Sequence, residues 1–262
     1  MELVNTGERP ILETQFEDIN PILQFAYIYA AKKARSKTIL DYGCGGGYGT
    51  EYISRFTKNN VVGFDIDRKT VEINKKYFKT VRNLSFVHTL EKTQKFDMVV
   101  TFQVIEHIKN TQMHTYLSDI KNKYLKKGGT LLVATVNKNI SSYRLKKSIL
   151  PFHEHEFFPE ELKKMLEKYF KKVVLYGQMD TDLMKKVQKG QFNYEKMDFS
   201  FRFRIIRFVS QIGPIRFAAR HTPLFVKNVI TRSKEEDRKL VYKLVKEKKF
   251  IDNSYVIIFE CF

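Results

Sequence analysis

Cysteine is scarce in this chain: there are two among 262 residues, Cys44 and Cys261. Two cysteines cannot build a disulfide framework, and Cys44 lies inside a glycine-rich stretch, so a reduced, cytoplasmic setting is the expectation. Long apolar runs are also missing, and none approaches the roughly 20 residues that a membrane-spanning helix needs. The N-terminus, Met1-Glu-Leu-Val-Asn5, lacks a basic region followed by an apolar one, so no signal peptide is expected. Acidic residues are few beside the basic ones, 29 against 47, which leaves a net charge of +18. Such a surplus favours an anionic partner, whether nucleic acid, a phospholipid surface or a phosphorylated acceptor. A general richness in lysine accounts for much of it equally well. Apolar residues are plentiful at 43%, enough for a real core in one domain with additions.

Glycine is sparse overall, with 12 in the chain, yet five stand close together at 43, 45, 46, 47 and 49, directly after the apolar run Thr38-Ile-Leu-Asp-Tyr42. A strand, a glycine-rich turn and a helix bring bare backbone N–H groups to a ligand. The third glycine of a dinucleotide fingerprint is absent: counted from Gly43 it falls at 48, which is Tyr48. What stands here is Asp-x-Gly-x-Gly-x-Gly, at 41, 43, 45 and 47. That pattern resembles motif I of the class I S-adenosylmethionine (SAM)-dependent methyltransferases. The resemblance implies SAM as cofactor. It also implies that Gly43, Cys44, Gly45 and Gly47 close over the methionine half of SAM, while Asp41 orders the loop and the cofactor's amino group, partly through water. The second strand, Asn60-Val-Val-Gly-Phe-Asp65, ends on an acid 22 residues after Gly43. A carboxylate there can accept both ribose hydroxyls of an adenosine cofactor, SAM or NAD alike. Ile66, next in the chain, is expected against the adenine face. The helix 67–78 takes Asp67 as N-cap and Val71, Ile73, Tyr77 and Phe78 as its inner face. An acid that relatives carry shortly after the third strand (Leu84–Val87) is missing too: its position falls on Leu90, with only Glu91 beside it.

Phe96–Phe102 reads as a buried fourth strand, followed by Gln103-Val-Ile-Glu-His-Ile108. This resembles the Glu-Val-Ile-Glu-His-Ile segment of the same superfamily, where the transferred methyl meets the acceptor. Gln103 is counted with the cofactor site, and Glu106 and His107 are candidate catalytic residues. A histidine titrates near neutrality and suits a general base. The alternative is that the pair only anchors the loop. Some relatives, the small-RNA 3′-end 2′-O-methyltransferases and the ubiquinone-pathway O-methyltransferases, hold a divalent ion with Glu-x-x-Glu-His, and the RNA enzymes add a later histidine. Here Gln103 replaces the first acid and His153 follows 46 residues after His107. Glu106, His107 and His153 are therefore the ligands of any ion, but no metal site is assigned, and the identity of such an ion stays open. The cluster Pro151-Phe-His-Glu-His-Glu-Phe157 resembles the Pro-Phe-His-x-x-Glu lead-in of a bacterial methyltransferase group (type 11/23-like) linked to surface-glycan synthesis. His153 and Glu156 match its polar positions, and His153 joins the catalytic candidates. A capping role for the helix 159–169 is the alternative. Gly47-Tyr48-Gly49 and the opening Thr6-Gly7-Glu8-Arg9-Pro10 resemble the same group, with Glu8 or Arg9 able to help close the site. Asn137, at the end of strand Leu131–Val136, is expected to face the acceptor.

The expected fold is α/β and Rossmann-like, with a seven-stranded, mainly parallel sheet whose last strand (Tyr255–Cys261) is reversed, helices on both faces, and the sixth strand at Val173–Tyr176. An N-terminal helix carrying Ile22-Leu23, Phe25-Ala26 and Tyr29 is expected on the sheet edge. The amphipathic stretch Thr111–Tyr124 is read as a core helix. Residues 1–177 plus 251–262 form the methyltransferase core. Residues 178–250 form a basic, aromatic-rich, helical insertion or lid, with 18 Lys and Arg against 8 Asp and Glu. From Ser200 to Lys234 eight basic residues and no acid interleave with phenylalanines and isoleucines. That composition suits an anionic membrane surface, a plain lid, or, less well because zinc-knuckle spacing is absent, RNA. The expected activity is SAM-dependent O-methylation of a small-molecule, sugar or lipid-linked glycan acceptor, in the cytoplasm and at the inner membrane face. RNA 2′-O-methylation with a divalent ion and a non-catalytic SAM-fold module are the alternatives.

Overall fold

The computed structural model describes residues 15–91, 94–142, 153–193, 195 and 242–262. Among them eight strands form one sheet: β1 Ile39–Tyr42, β2 Val61–Phe64, β3 Leu84–Val87, β4 Phe96–Phe102, β5 Leu125–Val136, β6 Val173–Asp180, β7 Tyr242–Val245 and β8 Val256–Cys261. Their order is β3-β2-β1-β4-β5-β8-β6-β7. β1 to β5 pair parallel with one another, and β8 inserts antiparallel between β5 and β6. The reversed last strand is thus where the sequence places it. The sheet has one strand more than expected, because β6 runs on to Asp180 and pairs antiparallel with β7, Gly177 opposite Val245 and Asp180 opposite Tyr242.

The central strands are apolar without alternation, since both faces of a parallel sheet are covered by helices. Val99, Val100, Leu131, Leu132, Val133 and Ala134 have no exposed surface. One face carries α1 (Pro21–Ala31), whose start is capped by Asn20 accepting from the Ile22 amide, with Pro21 at the first helical position. The sequence places this helix at the sheet edge. Instead it lies over the middle, packing Ala26, Tyr27 and Ala30 among side chains of β1, β4, β5 and β8. The spacing of Ala26 and Ala30, four residues apart on one face, is the reason: small side chains there let the helix backbone approach the sheet. The opposite face carries α4 (Asn110–Asp119), which continues into a π turn at Ile120–Tyr124, and α6 (Pro159–Leu166). Their Tyr116, Leu117, Ile120, Leu162 and Leu166 bury against Leu40, Val99, Leu131 and Phe259.

The other helices are α2 (Tyr48–Ser54), α3 (Arg68–Tyr77), α5 (Lys138–Ser141), α7 (Thr181–Gln188) and α8 (Lys248–Asp252). Asp67 caps α3 as expected, accepting from the Lys69 amide. Val71 and Phe78 face inward as expected and are joined by Thr70 and Asn74, whereas Tyr77 is exposed. The stretch 178–250 begins on α7 and ends on β7 and α8. Met179, Leu183, Val187, Val245 and Phe250 share a small core that fastens both ends to the sheet. The basic stretch 200–234, the opening 6–10 with Glu8 and Arg9, and Pro151-Phe152 lie outside the described residues.

Strand order reverses between β1 and β4, so the carboxyl ends of β1, β2 and β4 surround one crevice. Open α/β sheets bind ligands at such a switch point.

Candidate active site

The glycine loop leaves β1 and is tied at once to β2: the amides of Gly43 and Cys44 both donate to the Phe64 carbonyl, at 2.7 and 2.9 Å. Gly43 and Gly47 hold φ of +89° and +73°, a left-handed backbone that favours glycine. A Cβ on Gly43 would stand 2.4 Å from a methyl of Val104, so this loop touches the segment after β4. Above Gly45 a Cβ would meet nothing within 4 Å, so bare backbone faces open space there. Asn74 of α3 donates to the Gly45 carbonyl at 2.7 Å. Asp65, 5% exposed, accepts from the Gly45 amide through one oxygen and from the Asp67 amide through the other, both at 2.9 Å. The acid therefore bridges the glycine loop and the end of β2. Ile66 beside it is 86% exposed, an apolar side chain held out at the mouth of the crevice. Side-chain-free backbone at Gly45 facing open space, a strand-end carboxylate and an uncovered apolar side chain fit an adenosine cofactor. Glu91 is exposed at the surface.

Asp41 is fully buried and accepts from the Thr50 hydroxyl at 2.7 Å, while its other oxygen has no hydrogen-bond partner among the described residues. Burial pushes its carboxyl up to about 7, against the opposing pull of the Thr50 and Tyr27 hydroxyls, with the Asp65 charge adding to the rise. The folded protein then holds a proton on Asp41 that the unfolded chain releases near its ordinary value of 3.8. This contribution to stability is complete at low pH and is lost as pH rises towards 7. Thermal melts of the cofactor-free protein from about pH 5 to 8 should show a decline that is shallower in Asp41→Asn, by at most roughly 2–3 kcal/mol across the range. Equal slopes in the two proteins would contradict the buried, uncompensated acid.

The segment after β4 turns sharply. Gln103 holds φ +56°, rare for a residue with a side chain, and its amide donates to the Ala134 carbonyl at 2.8 Å. One 3-10 turn follows, Ile105–His107, which places Glu106 inward with no exposed surface. Neither Glu106 carboxylate oxygen has a hydrogen-bond partner among the described residues. Burial raises its pKa, while its own backbone, the two imidazoles of His107 and His153 and the Thr135 hydroxyl pull it down. His153 arrives through the backbone: the Glu106 carbonyl accepts from the amides of Glu154 and His155, at 2.9 and 3.1 Å. The rings of His107 and His153 meet edge to face with centroids 5.0 Å apart. One donor atom from each of Glu106, His107 and His153 lies within 4.8 Å of the others, a set that fits a divalent ion. The structure thus brings His153 to the other two catalytic candidates, Glu106 and His107, from which it is distant in sequence.

Asn137 does not face an acceptor. It is fully buried, its amide donates to the carbonyls of Ile251 and Ser254 at 3.0 and 2.9 Å, and its oxygen caps α5. It ties the end of β5 to the turn before β8. Sequence reasoning also passed over Thr50, Asn74, Ser141 and Ser142. Asn74 had a legible signal, a polar side chain at helical spacing from Val71 and Phe78. The serines had none.

A family described as "Methyltransferase domain" matches residues 12–172. A ubiquinone biosynthesis O-methyltransferase of Pelagibacter ubique is 30% identical over 129 residues, which is 47% of this chain and 52% of that protein. A probable S-adenosylmethionine-dependent methyltransferase of Mycolicibacterium smegmatis is 30% identical over 146 residues, 55% of each chain. The chain thus spans about half the length of these curated relatives. Among solved structures, the YcgJ protein of Bacillus subtilis superposes with a TM-score of 0.50 at 15% identity, covering 90% of this chain and 97% of that one, which is a likeness of fold. The glycine-loop crevice at the strand-order reversal and a family match over most of the sheet agree: the chain belongs to the class I methyltransferases, the S-adenosylmethionine-dependent family.

Proposed function

We propose that this methyltransferase acts on a hydroxyl oxygen of a sugar or lipid-linked glycan. The observation that carries the reading is the convergence of Glu106, His107 and His153 at the carboxyl end of β4, next to the glycine loop. When bound, the cofactor supplies a methyl group already activated on a sulfonium. The protein's work is then to hold that methyl and the acceptor in line, which can supply much of the rate. Gly43, Cys44, Gly45 and Gly47 hold the methionine end, Asp65 the ribose and Ile66 the adenine, with Asp41 and Gln103 setting the loops around them. A hydroxyl is a poor nucleophile until it loses its proton. His153, His107 or Glu106 accepts that proton as the oxygen–carbon bond forms. The relatives named as O-methyltransferases support oxygen as the acceptor atom. The glycan assignment rests on Gly47-Tyr48-Gly49 and on His153 and Glu156, which match the glycan-linked group. The basic, aromatic stretch 200–234 suits docking at an anionic membrane surface. Among the described residues no helix is long and apolar enough to cross a membrane.

The same cluster favours a second reading, RNA 2′-O-methylation with a divalent ion. Glu106, His107 and His153 would hold the ion, and its charge would lower the pKa of a ribose hydroxyl. The test uses SAM labelled on the transferred methyl, purified protein and host-cell extract, with and without added Mn²⁺, and fractionation of the products. Label in the lipid-plus-glycan fraction, absent with His153→Ala, is the expected result. Label in RNA that depends on Mn²⁺ would move the assignment to the second reading. Absence of label from every fraction would sink both.

A further inference from the structure

His153 does not stand alone in the cluster. Its Nδ1 lies 2.7 Å from Oε1 of Glu156, and both side chains are almost fully buried, 4% and 1% exposed. The other carboxylate oxygen of Glu156, Oε2, accepts from the hydroxyls of Ser141 and Ser142 at the end of α5. The Glu106 carbonyl holds the backbone of 154 and 155, so the histidine is fixed at its backbone by Glu106 and at its ring by Glu156.

The chemistry of the two groups sets the direction of the hydrogen bond. An ionised carboxylate only accepts, and a neutral imidazole has one N–H and one lone pair. Two hydroxyls donating to Oε2 favour the ionised form of Glu156. Nδ1 of His153 is then the protonated nitrogen, and Nε2 carries the lone pair. A lone pair at Nε2 can take a proton from an acceptor hydroxyl or ligate an ion. The opposite tautomer would turn the lone pair onto Glu156 and leave an N–H for the cluster.

We propose that Glu156 is a positioning residue of the transfer site: with Ser141 and Ser142 it holds His153 in the Nδ1–H tautomer, so that Nε2 is the working atom. The inference rests on the reading that Glu106, His107 and His153 form that site. A purely structural role, in which Glu156 only pins 153–156 to the end of α5, predicts no tautomer preference.

The test is nitrogen NMR of the protein labelled with ring-¹⁵N histidine, at about pH 8, above the ordinary histidine pKa near 6.5. His153 should show a protonated Nδ1 and an unprotonated Nε2, a result that needs no variant. Glu156→Leu removes the acceptor. Its expected effects are loss of the Nδ1–H form and a fall in kcat of about 10- to 100-fold, with cofactor affinity unchanged. In Glu156→Gln the side-chain amide can offer either its oxygen or its nitrogen to Nδ1, so this variant tests the link itself: kcat should follow whichever tautomer is observed. An Nε2–H or doubly protonated ring in the wild type overturns the inference, as does activity that fails to follow the tautomer. By contrast, full turnover by His153→Ala would overturn the transfer-site reading while leaving the tautomer assignment standing.

Discussion

Asp65→Ala should weaken cofactor binding by about 10²–10⁴-fold, the equivalent of roughly 3–6 kcal/mol. In the cofactor-free protein its carboxylate accepts from the amides of Gly45 and Asp67. Removing it leaves two N–H groups without their acceptor and releases the glycine loop from the end of β2. It also removes the acid at the end of β2 proposed above to accept the ribose hydroxyls. Each hydrogen bond to a charged group contributes about 1.5–3 kcal/mol, and two such bonds to ribose account for the range given. Asp65→Asn keeps an oxygen for the Gly45 amide and should show a smaller loss. Titration calorimetry with SAM or its demethylated product measures this directly. Wild-type affinity in Asp65→Ala would mean that the acid serves only the loop and that the ribose is held elsewhere.

Glu106→Gln should separate activity from stability. Glu106 is buried, carries two carboxylate oxygens without hydrogen-bond partners among the described residues, and has its pKa raised by burial. A buried charge without adequate compensation costs stability, and a neutral amide of the same shape costs less. The variant is expected to melt at or above the wild-type temperature, by about 2–4 °C for each kcal/mol released. At the same time kcat should fall by about 10²–10⁴-fold, the usual contribution of a positioned acid or base. A group retained for packing alone behaves differently: its loss lowers the melting temperature and leaves the chemistry of the folded fraction intact. A Glu106→Gln enzyme that melts earlier yet turns over normally would place Glu106 in the scaffold. Sites that trade stability for function show the first pattern, and a buried acid beside two imidazoles has the composition of one.

These two residues differ in how much of their role was readable from the chain. Asp65 is the last residue of an apolar, β-branched run, and a strand-end acid after a glycine loop is a local pattern. Glu106 and His107 were also legible as candidates, because a buried fourth strand ends just before them. That neither Glu106 carboxylate oxygen has a hydrogen-bond partner among the described residues, however, depends on what the rest of the fold brings within reach. His153 shows the limit more sharply. It was singled out from a polar cluster that served equally well as a helix cap, and its approach to Glu106 rests on backbone bonds between residues almost fifty positions apart.

By itself the sequence determined the α/β class, the placement of β1 to β4, the reversed final strand, the glycine loop and the acid at the end of β2. All of these follow from hydrophobic periodicity, strand-end position and backbone conformations available to glycine, which act over a few residues. Only the tertiary structure decided the eighth strand, the seat of α1 over the sheet's centre, the burial of Asn137, and the joining of Glu106, His107, His153 and Glu156. An edge strand such as β7 forms because β6 offers it open backbone groups, and a helix with alanines on one face settles where the sheet lets it approach. A buried amide such as Asn137 is claimed by whichever carbonyls the chain's return brings close, here those of Ile251 and Ser254. The reason is common to all of them: each depends on a partner remote in sequence.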